Sequence, residues 1–114
     1  MKGVLEEKSF QFAIRIVKLN RYLMEEKKEF VLSKQVLRAG TSIGANIAEA
    51  QFAQSKPDFV SKMHISLKEA NETRYWLRLL EATGGIESSL LDSIISDCDE
   101  LINMLVATCR TSKE

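Results

Sequence analysis

Apolar residues recur every three or four positions along most of this chain, and this helical periodicity limits the fold more than any other feature. A turn-rich β-sandwich would need far more glycine and proline than the five Gly and one Pro present. Short polar joints separate the periodic stretches. The pattern therefore predicts four helices, over about residues 9–27, 34–53, 56–83 and 88–110.

Short joints between consecutive helices favour antiparallel neighbours. A chain of 114 residues is also long enough to bury one modest core without disulfides or metals. We therefore predict an all-α fold, a single up-down-up-down antiparallel four-helix bundle that occupies residues 1–114 as one domain.

The joints carry start and stop signals for the helices. Ser33 is placed to cap the second helix, and Ser55 is placed to cap the third. Pro57 fits the first turn of that third helix, where its missing N–H costs nothing. The pair Gly84-Gly85 supplies a left-handed stop at its end.

The first and third predicted helices carry more apolar surface than one buried stripe requires. On the first helix two apolar clusters together span about 220°. One cluster contains Phe10, Ala13, Ile14, Val17 and Met24, and the other contains Phe12, Ile16, Leu19 and Leu23. A helix at the centre of its own bundle could bury both, but a small bundle has no central helix. We therefore expect a second subunit to cover one flank of each helix, at Phe12, Ile16, Leu19, Leu23, Ile65, Trp76, Leu79 and Leu80.

Small residues recur every four positions on the second predicted helix, at Gly40, Gly44 and Ala48. A glycine inside a helix costs about 1 kcal/mol relative to alanine. Close packing against another helix would compensate for this cost. The alternative is that the glycines admit a ligand or a nucleic-acid backbone.

Residues that carry catalytic or metal-binding chemistry are sparse. His64 is the only histidine, and no second nitrogen or sulfur donor accompanies it at helical spacing. Glu49, Glu69 and Glu72 lack the Glu-x-x-His pairing of di-iron bundles, so Glu69 and Glu72 are expected to pair with Arg or Lys on a neighbouring helix. We predict no enzyme activity, no catalytic residues, no metal and no cofactor.

Cys98 and Cys109 are predicted to be small core residues. They fall in one predicted helix with Cα atoms about 16 Å apart, too far for a disulfide. Free thiols of this kind are typical of a reducing cytoplasm. No apolar run reaches the roughly 18 residues of a membrane helix, and residues 1–7 lack the apolar stretch of a signal peptide. We expect a cytoplasmic protein with no membrane segment.

Charge is balanced over the whole chain but uneven along it. The totals of 16 Lys+Arg and 16 Asp+Glu argue against a strongly basic nucleic-acid binder. Residues 1–57 nonetheless carry ten positive and six negative groups, a difference of +4, while the fourth helix is acidic. A basic flank on the first two helices could follow a phosphate backbone. The candidate nucleic-acid-binding residues are Lys8, Arg15, Lys18, Lys34 and Arg38.

Two other interpretations of this basic flank remain open. A run of charges is usually a solvated helix face. The flank could also contact the acidic fourth helix of another subunit.

Long segments of the chain resemble the signature of a known family. The run Leu37–Ala50, the start Ser55–Phe59 and the run Ile65–Leu80 are similar to the four-helix-bundle proteins encoded within bacterial 23S rRNA intervening sequences. The resemblance covers essentially the whole chain. It implies a four-helix bundle that assembles as a homopentameric barrel and has no catalytic residues. A related protein, the accessory protein of diversity-generating retroelements, binds nucleic acid and a reverse transcriptase.

The residues and the resemblance together predict a non-enzymatic, homo-oligomeric bundle, expected to be a pentamer. Its expected role is an assembly or adaptor module in an rRNA-associated context, with other copies of itself and rRNA or another protein as partners. The alternative is a direct RNA-binding protein that presents the basic flank from several subunits. One RNA that spans several copies would raise the avidity of a weak patch.

Overall fold

The computed structural model describes residues 3–113 as four α-helices: α1 (Val4–Glu25), α2 (Leu32–Ala50), α3 (Lys56–Thr83) and α4 (Ser88–Lys113). This range contains no strand. The backbone contacts run in a cycle, from α1 to α2, α3 and α4 and back to α1, and the diagonal helices have no Cα atoms within 8 Å of each other. The chain is the predicted up-down-up-down four-helix bundle, about 44 Å long.

The joint between α1 and α2 differs from the sequence prediction. Ser33 lies inside α2 and does not cap it. The carboxylate of Glu29 instead accepts hydrogen bonds from the N–H groups of Leu32 (3.0 Å) and Ser33 (2.8 Å). Lys28 adopts a left-handed φ of 54°, which turns the chain after α1 so that Glu29 reaches this position. A glutamate therefore satisfies the free N–H groups at the start of α2.

The start and end of α3 agree with the prediction. The Oγ atom of Ser55 accepts a hydrogen bond from the N–H of Asp58 at 3.2 Å, and Pro57 lies in the first turn. After Thr83, Gly84 and Gly85 adopt φ values of 79° and 85°. Side chains with a Cβ rarely adopt such values, so these glycines end the helix.

One core runs through the bundle and takes side chains from all four helices. Ile16, Ile43, Leu77 and Leu105 are fully enclosed, one from each helix. Both cysteines lie in this core, and no disulfide joins them. None of the described helices combines the length and the hydropathy that a membrane span requires.

We expect the thiol of Cys98 to be unreactive in the folded protein. Burial raises the pKa of this thiol from its ordinary value of 9.0 to about 12, and the Sγ atom donates to the carbonyl oxygen of Ala70 at 3.4 Å. Because the thiolate is the reactive form, labelling at pH 8 should be at least about 100-fold slower than in denaturant. Maleimide labelling followed by peptide mapping measures this rate, and equal rates in both conditions would contradict the prediction.

The same shift sets the direction of a pH effect on stability. In the unfolded chain the thiol of Cys98 ionises near its ordinary pKa of 9.0, whereas in the core it keeps its proton up to a pKa of about 12. Between these values the folded state binds more protons than the unfolded state. The contribution of Cys98 to the free energy of unfolding is therefore complete below pH 9 and declines as the pH rises above it.

Candidate interaction surfaces

Five of the eight residues predicted to meet a second subunit lie instead in the core of this chain. Phe12, Ile16, Leu19, Leu23 and Leu80 are each at most 3 % exposed. A side chain that its own subunit already encloses has no surface to give to a partner. The structure therefore corrects this part of the prediction. The two apolar clusters of the first helix look equivalent in the sequence, but the cluster predicted to meet a partner is the one that faces the core.

The other three predicted interface residues, all on α3, are more accessible. Ile65 is 41 % exposed. Trp76 is half-buried, packs against the core, and donates from Nε1 to Oε2 of Glu72 at 3.0 Å. Leu79 is half-buried and lines a surface groove described below.

The second apolar cluster of α1 lies at the surface. Phe10 is 60 % exposed and Met24 is 42 % exposed, while Ala13, Ile14 and Val17 are half-buried. A cleft of about 380 Å³ separates Phe10 and Ala13 of this cluster from Thr41, Ala45 and Ala48 of α2. Glu6 and Ser9 also line it. We call this surface the α1–α2 face; its residues are Phe10, Ala13, Ile14, Val17, Met24, Thr41, Ala45 and Ala48.

The two helices meet closely below this face because α2 presents glycines to α1. A Cβ atom built on Gly40 would lie 2.8 Å from both Cγ1 and Cγ2 of Ile16. A Cβ atom built on Gly44 would lie 3.3 Å from the carbonyl oxygen of Ser9. The space beside Gly40 is thus filled by α1, which leaves no access there for a ligand or a nucleic-acid backbone. Ala48 is different, because it is exposed on the α1–α2 face.

Acidic residues of α4 pair with the basic flank of α1 within the same chain. Lys8 Nζ lies 3.1 Å from Oε1 of Glu100, and Arg15 Nη1 lies 2.6 Å from Oδ2 of Asp97. These carboxylates of α4 therefore pair with α1 of the same chain and not with the basic flank of another subunit. A phosphate would have to compete with these carboxylates for Lys8 and Arg15.

Arg38 on α2 is held in a similar way by α3. Its guanidinium donates to Glu69 at 3.3 Å and also to Glu72. The two glutamates of the third helix thus pair with an arginine on a neighbouring helix, as expected. Of the five candidate nucleic-acid-binding residues, Lys18 and Lys34 have no ion pair within the part of the chain that the structure describes.

The ion pairs are distributed unevenly over the four contacts between helices. Two join α1 to α4, three join α2 to α3, and one joins α3 to α4. Among residues 3–112 no ion pair joins α1 to α2. Since exposed pairs contribute only about 0–1 kcal/mol each, they affect which helices meet more than they affect overall stability. The contact between α1 and α2 depends instead on close packing and on a buried hydrogen bond from Nδ2 of Asn20 to the carbonyl oxygen of Ser33 at 3.1 Å.

A groove on the outer side of α3 is a surface that the sequence reasoning missed. Tyr75 is 60 % exposed in this groove, and its ring packs edge-on against Trp76 with centroids 5.2 Å apart. Arg74 donates from Nε to Asp99 of α4 at 2.5 Å. The groove is open, measures about 500 Å³, and is lined by Asn71, Arg74, Tyr75, Arg78, Leu79 and Ala82. The signal was the spacing of Asn71, Tyr75 and Arg78, which places three polar or aromatic side chains on one helix face.

No metal centre is formed by the residues that the structure describes, because no three His, Cys, Asp or Glu side chains converge there. His64 is half-buried on α3. The carboxylates of Glu69 and Glu72 are instead bound by Arg38.

Comparison with known proteins identifies a family and a solved structure to which this chain is similar. A family model described as 23S rRNA-intervening sequence protein matches residues 4–107. The crystal structure of a protein of unknown function from the S23 ribosomal protein family of Bacteroides thetaiotaomicron is 53% identical in sequence, with a TM-score of 0.91. The match covers 93% of this chain and 98% of that one. No curated protein matches the chain.

Proposed function

Because the chain belongs to the 23S rRNA-intervening sequence protein family, we propose that it is a non-enzymatic bundle that associates with copies of itself through the α1–α2 face. Its role is that of an assembly or adaptor module in an rRNA-associated context. The observation that carries the proposal is the exposed apolar cluster of α1, led by Phe10 and Met24. Two cysteines that are not joined in a disulfide fit a protein of the reducing cytoplasm.

The composition of the α1–α2 face supports this interface. Monomeric proteins rarely expose a large contiguous apolar patch, and aromatic residues and methionine are enriched where proteins meet. Ala45 and Ala48 leave room for a partner helix to approach closely. The formal net charge of zero adds no general repulsion between copies.

A pentameric ring, the form that the resemblance implies, requires two different surfaces on each copy. The α1–α2 face supplies one. The flank of α3 that carries the exposed Ile65 supplies the second. A two-fold dimer would instead bury the α1–α2 face against itself, so the native mass distinguishes the two assemblies.

Ala45→Arg is the variant that tests the interface. Ala45 is exposed beside Phe10, so an arginine there should fold normally but should place a charge and a long side chain in the interface. We expect the native mass to fall to that of the 12.9 kDa chain, with helix content unchanged. Sedimentation velocity and circular dichroism measure these two quantities.

Ala107→Arg is the matched control. Ala107 is exposed on α4, away from the α1–α2 face, and the substitution is chemically the same. Its native mass should equal that of the wild type. A wild-type protein that is monomeric at micromolar concentration, or an Ala45→Arg variant that keeps the oligomeric mass, would contradict the proposal.

Direct RNA binding through the basic flank has less support. Lys8, Arg15 and Arg38 would each have to leave a carboxylate of their own chain before binding a phosphate. Lys18 and Lys34 alone would release few counterions, which means weak affinity at physiological salt.

A further inference from the structure

Tyr75 presents an aromatic surface to solvent on the outer side of α3, in the C-terminal half of the helix. Its ring is 60 % exposed although Trp76, its neighbour in sequence, packs against the core. The contact with Trp76 is edge-on, at an interplanar angle of 75°. Base–aromatic stacking contributes about 1–3 kcal/mol per base and accepts any base, because each base has a π-face.

Two cations lie on the same helix face as this ring. Lys68 precedes Tyr75 by seven residues and Arg78 follows it by three, so the three side chains form one stripe about 15 Å long. Lys68 and Arg78 are exposed, and neither forms an ion pair with any residue that the structure describes. They differ in this respect from Lys8, Arg15 and Arg38.

The side chains that line the groove include two arginines, Arg74 and Arg78, and no carboxylate. Arg74 donates to Asp99 of α4. Glu81, whose pKa is raised by the neighbouring Asp92, lies outside the lining, close enough to Arg78 to interact with its charge. The lining itself therefore offers cations and no anion to a ligand, which favours an anionic one. Asn71 adds an amide that can donate to and accept from a base edge.

We propose that this groove binds single-stranded nucleic acid, with one base stacked on Tyr75 and the adjoining phosphates held by Arg78 and Lys68. The shared chemistry is an unpaired base next to a phosphodiester, which both RNA and DNA supply. The site shares no residue with the α1–α2 face.

Trp76 is a built-in reporter for this site. It is the only tryptophan in the chain, and its ring lies beside Tyr75. Titration with a 12-nucleotide oligouridylate at about 25 mM salt should change the Trp76 fluorescence. A deoxyuridine oligonucleotide of equal length distinguishes RNA from DNA as the source of the ligand. A blunt RNA duplex should bind far more weakly, because its bases are already stacked.

Tyr75→Ala should weaken oligonucleotide binding about 5- to 100-fold, the range that loss of one stacked base implies. Tyr75→Phe keeps the aromatic ring and should bind as the wild type does. Arg78→Gln should weaken binding and make it less dependent on salt, by about one phosphate contact. Arg110→Gln removes an exposed cation from α4 and serves as the matched control, with no change in affinity. Fluorescence anisotropy of labelled oligonucleotide measures all four affinities.

Four results would overturn the proposal. The first two are undetectable binding of the oligonucleotide at about 25 mM salt and equally strong binding of the duplex. The third is unchanged affinity of the Tyr75→Ala variant. The fourth is loss of binding in Lys18→Gln but not in Tyr75→Ala, which would place the site on the basic flank. Native mass is measured for every variant. If Tyr75→Ala changes the native mass but not RNA binding, the groove is a contact between copies and not an RNA site. The native mass of the wild type shows separately whether the protein self-associates at all.

Discussion

Ile16→Ala is expected to lower the free energy of unfolding by about 2–5 kcal/mol. Ile16 is 0 % exposed and lies against Gly40, where α1 and α2 pack closely. Truncation removes apolar contacts and leaves a cavity that the close-packed helices cannot fill. Urea denaturation followed by circular dichroism measures the loss, and it should be the same at every protein concentration.

Phe10→Ala provides the contrast, because Phe10 belongs to the other apolar cluster of α1 and is 60 % exposed. If copies associate through this cluster, the variant loses stability only where the wild type is oligomeric, and the loss disappears on dilution. A concentration-dependent effect of Ile16→Ala, with no effect of Phe10→Ala, would mean that the cluster of Ile16, and not that of Phe10, meets a partner.

Gly40→Ala is expected to destabilise the fold by about 1–3 kcal/mol, although alanine is the better helix former by about 1 kcal/mol. The new Cβ would lie 2.8 Å from two carbon atoms of Ile16, closer than any ordinary contact. Ile16 is branched at Cβ and enclosed by the core, so it cannot rotate away. The helices must then move apart, and their other contacts weaken.

The double variant Gly40→Ala/Ile16→Ala tests this mechanism directly. Loss of the Ile16 side chain leaves space for the methyl group that Gly40→Ala introduces, so the double variant should be at least about 1 kcal/mol more stable than the sum of the single effects predicts. Gly40→Ala combined with Leu77→Ala, a core truncation on α3, should be additive within about 0.5 kcal/mol. Additive effects in both pairs would mean that Gly40 is not held by contact with Ile16.

The periodicity of the sequence was sufficient to predict the four helices and their order, because each helix has a buried face and the joints are short. It was not sufficient to show which cluster of α1 faces inward. Phe10 and Phe12 lie on flanks that are equally apolar in sequence, and only the positions of α2 and α4 distinguish them. The glycine spacing on α2 predicted a close contact without naming Ile16 as the partner.

The charges along the sequence also predicted the contacts between helices only in part. The basic flank of α1 and the acidic character of α4 are both visible in the sequence. The pairing of Arg15 with Asp97 is not, because 82 residues separate them and only the closed bundle brings them together. The exposure of Tyr75 could not be predicted, because an aromatic residue beside Trp76 looks like a core residue in the sequence.

Because no ion pair joins α1 to α2 among residues 3–112, the four contacts between helices should tolerate different substitutions. Where α4 meets α1 and α3, and where α2 meets α3, side chains can change in length provided that opposite signs still face each other. Where α1 meets α2, the sign of a surface charge matters little, but a single added methyl group at Gly40 does not fit. High salt, which screens exposed charges, should therefore slightly weaken the three contacts that carry ion pairs and leave the contact between α1 and α2 unchanged.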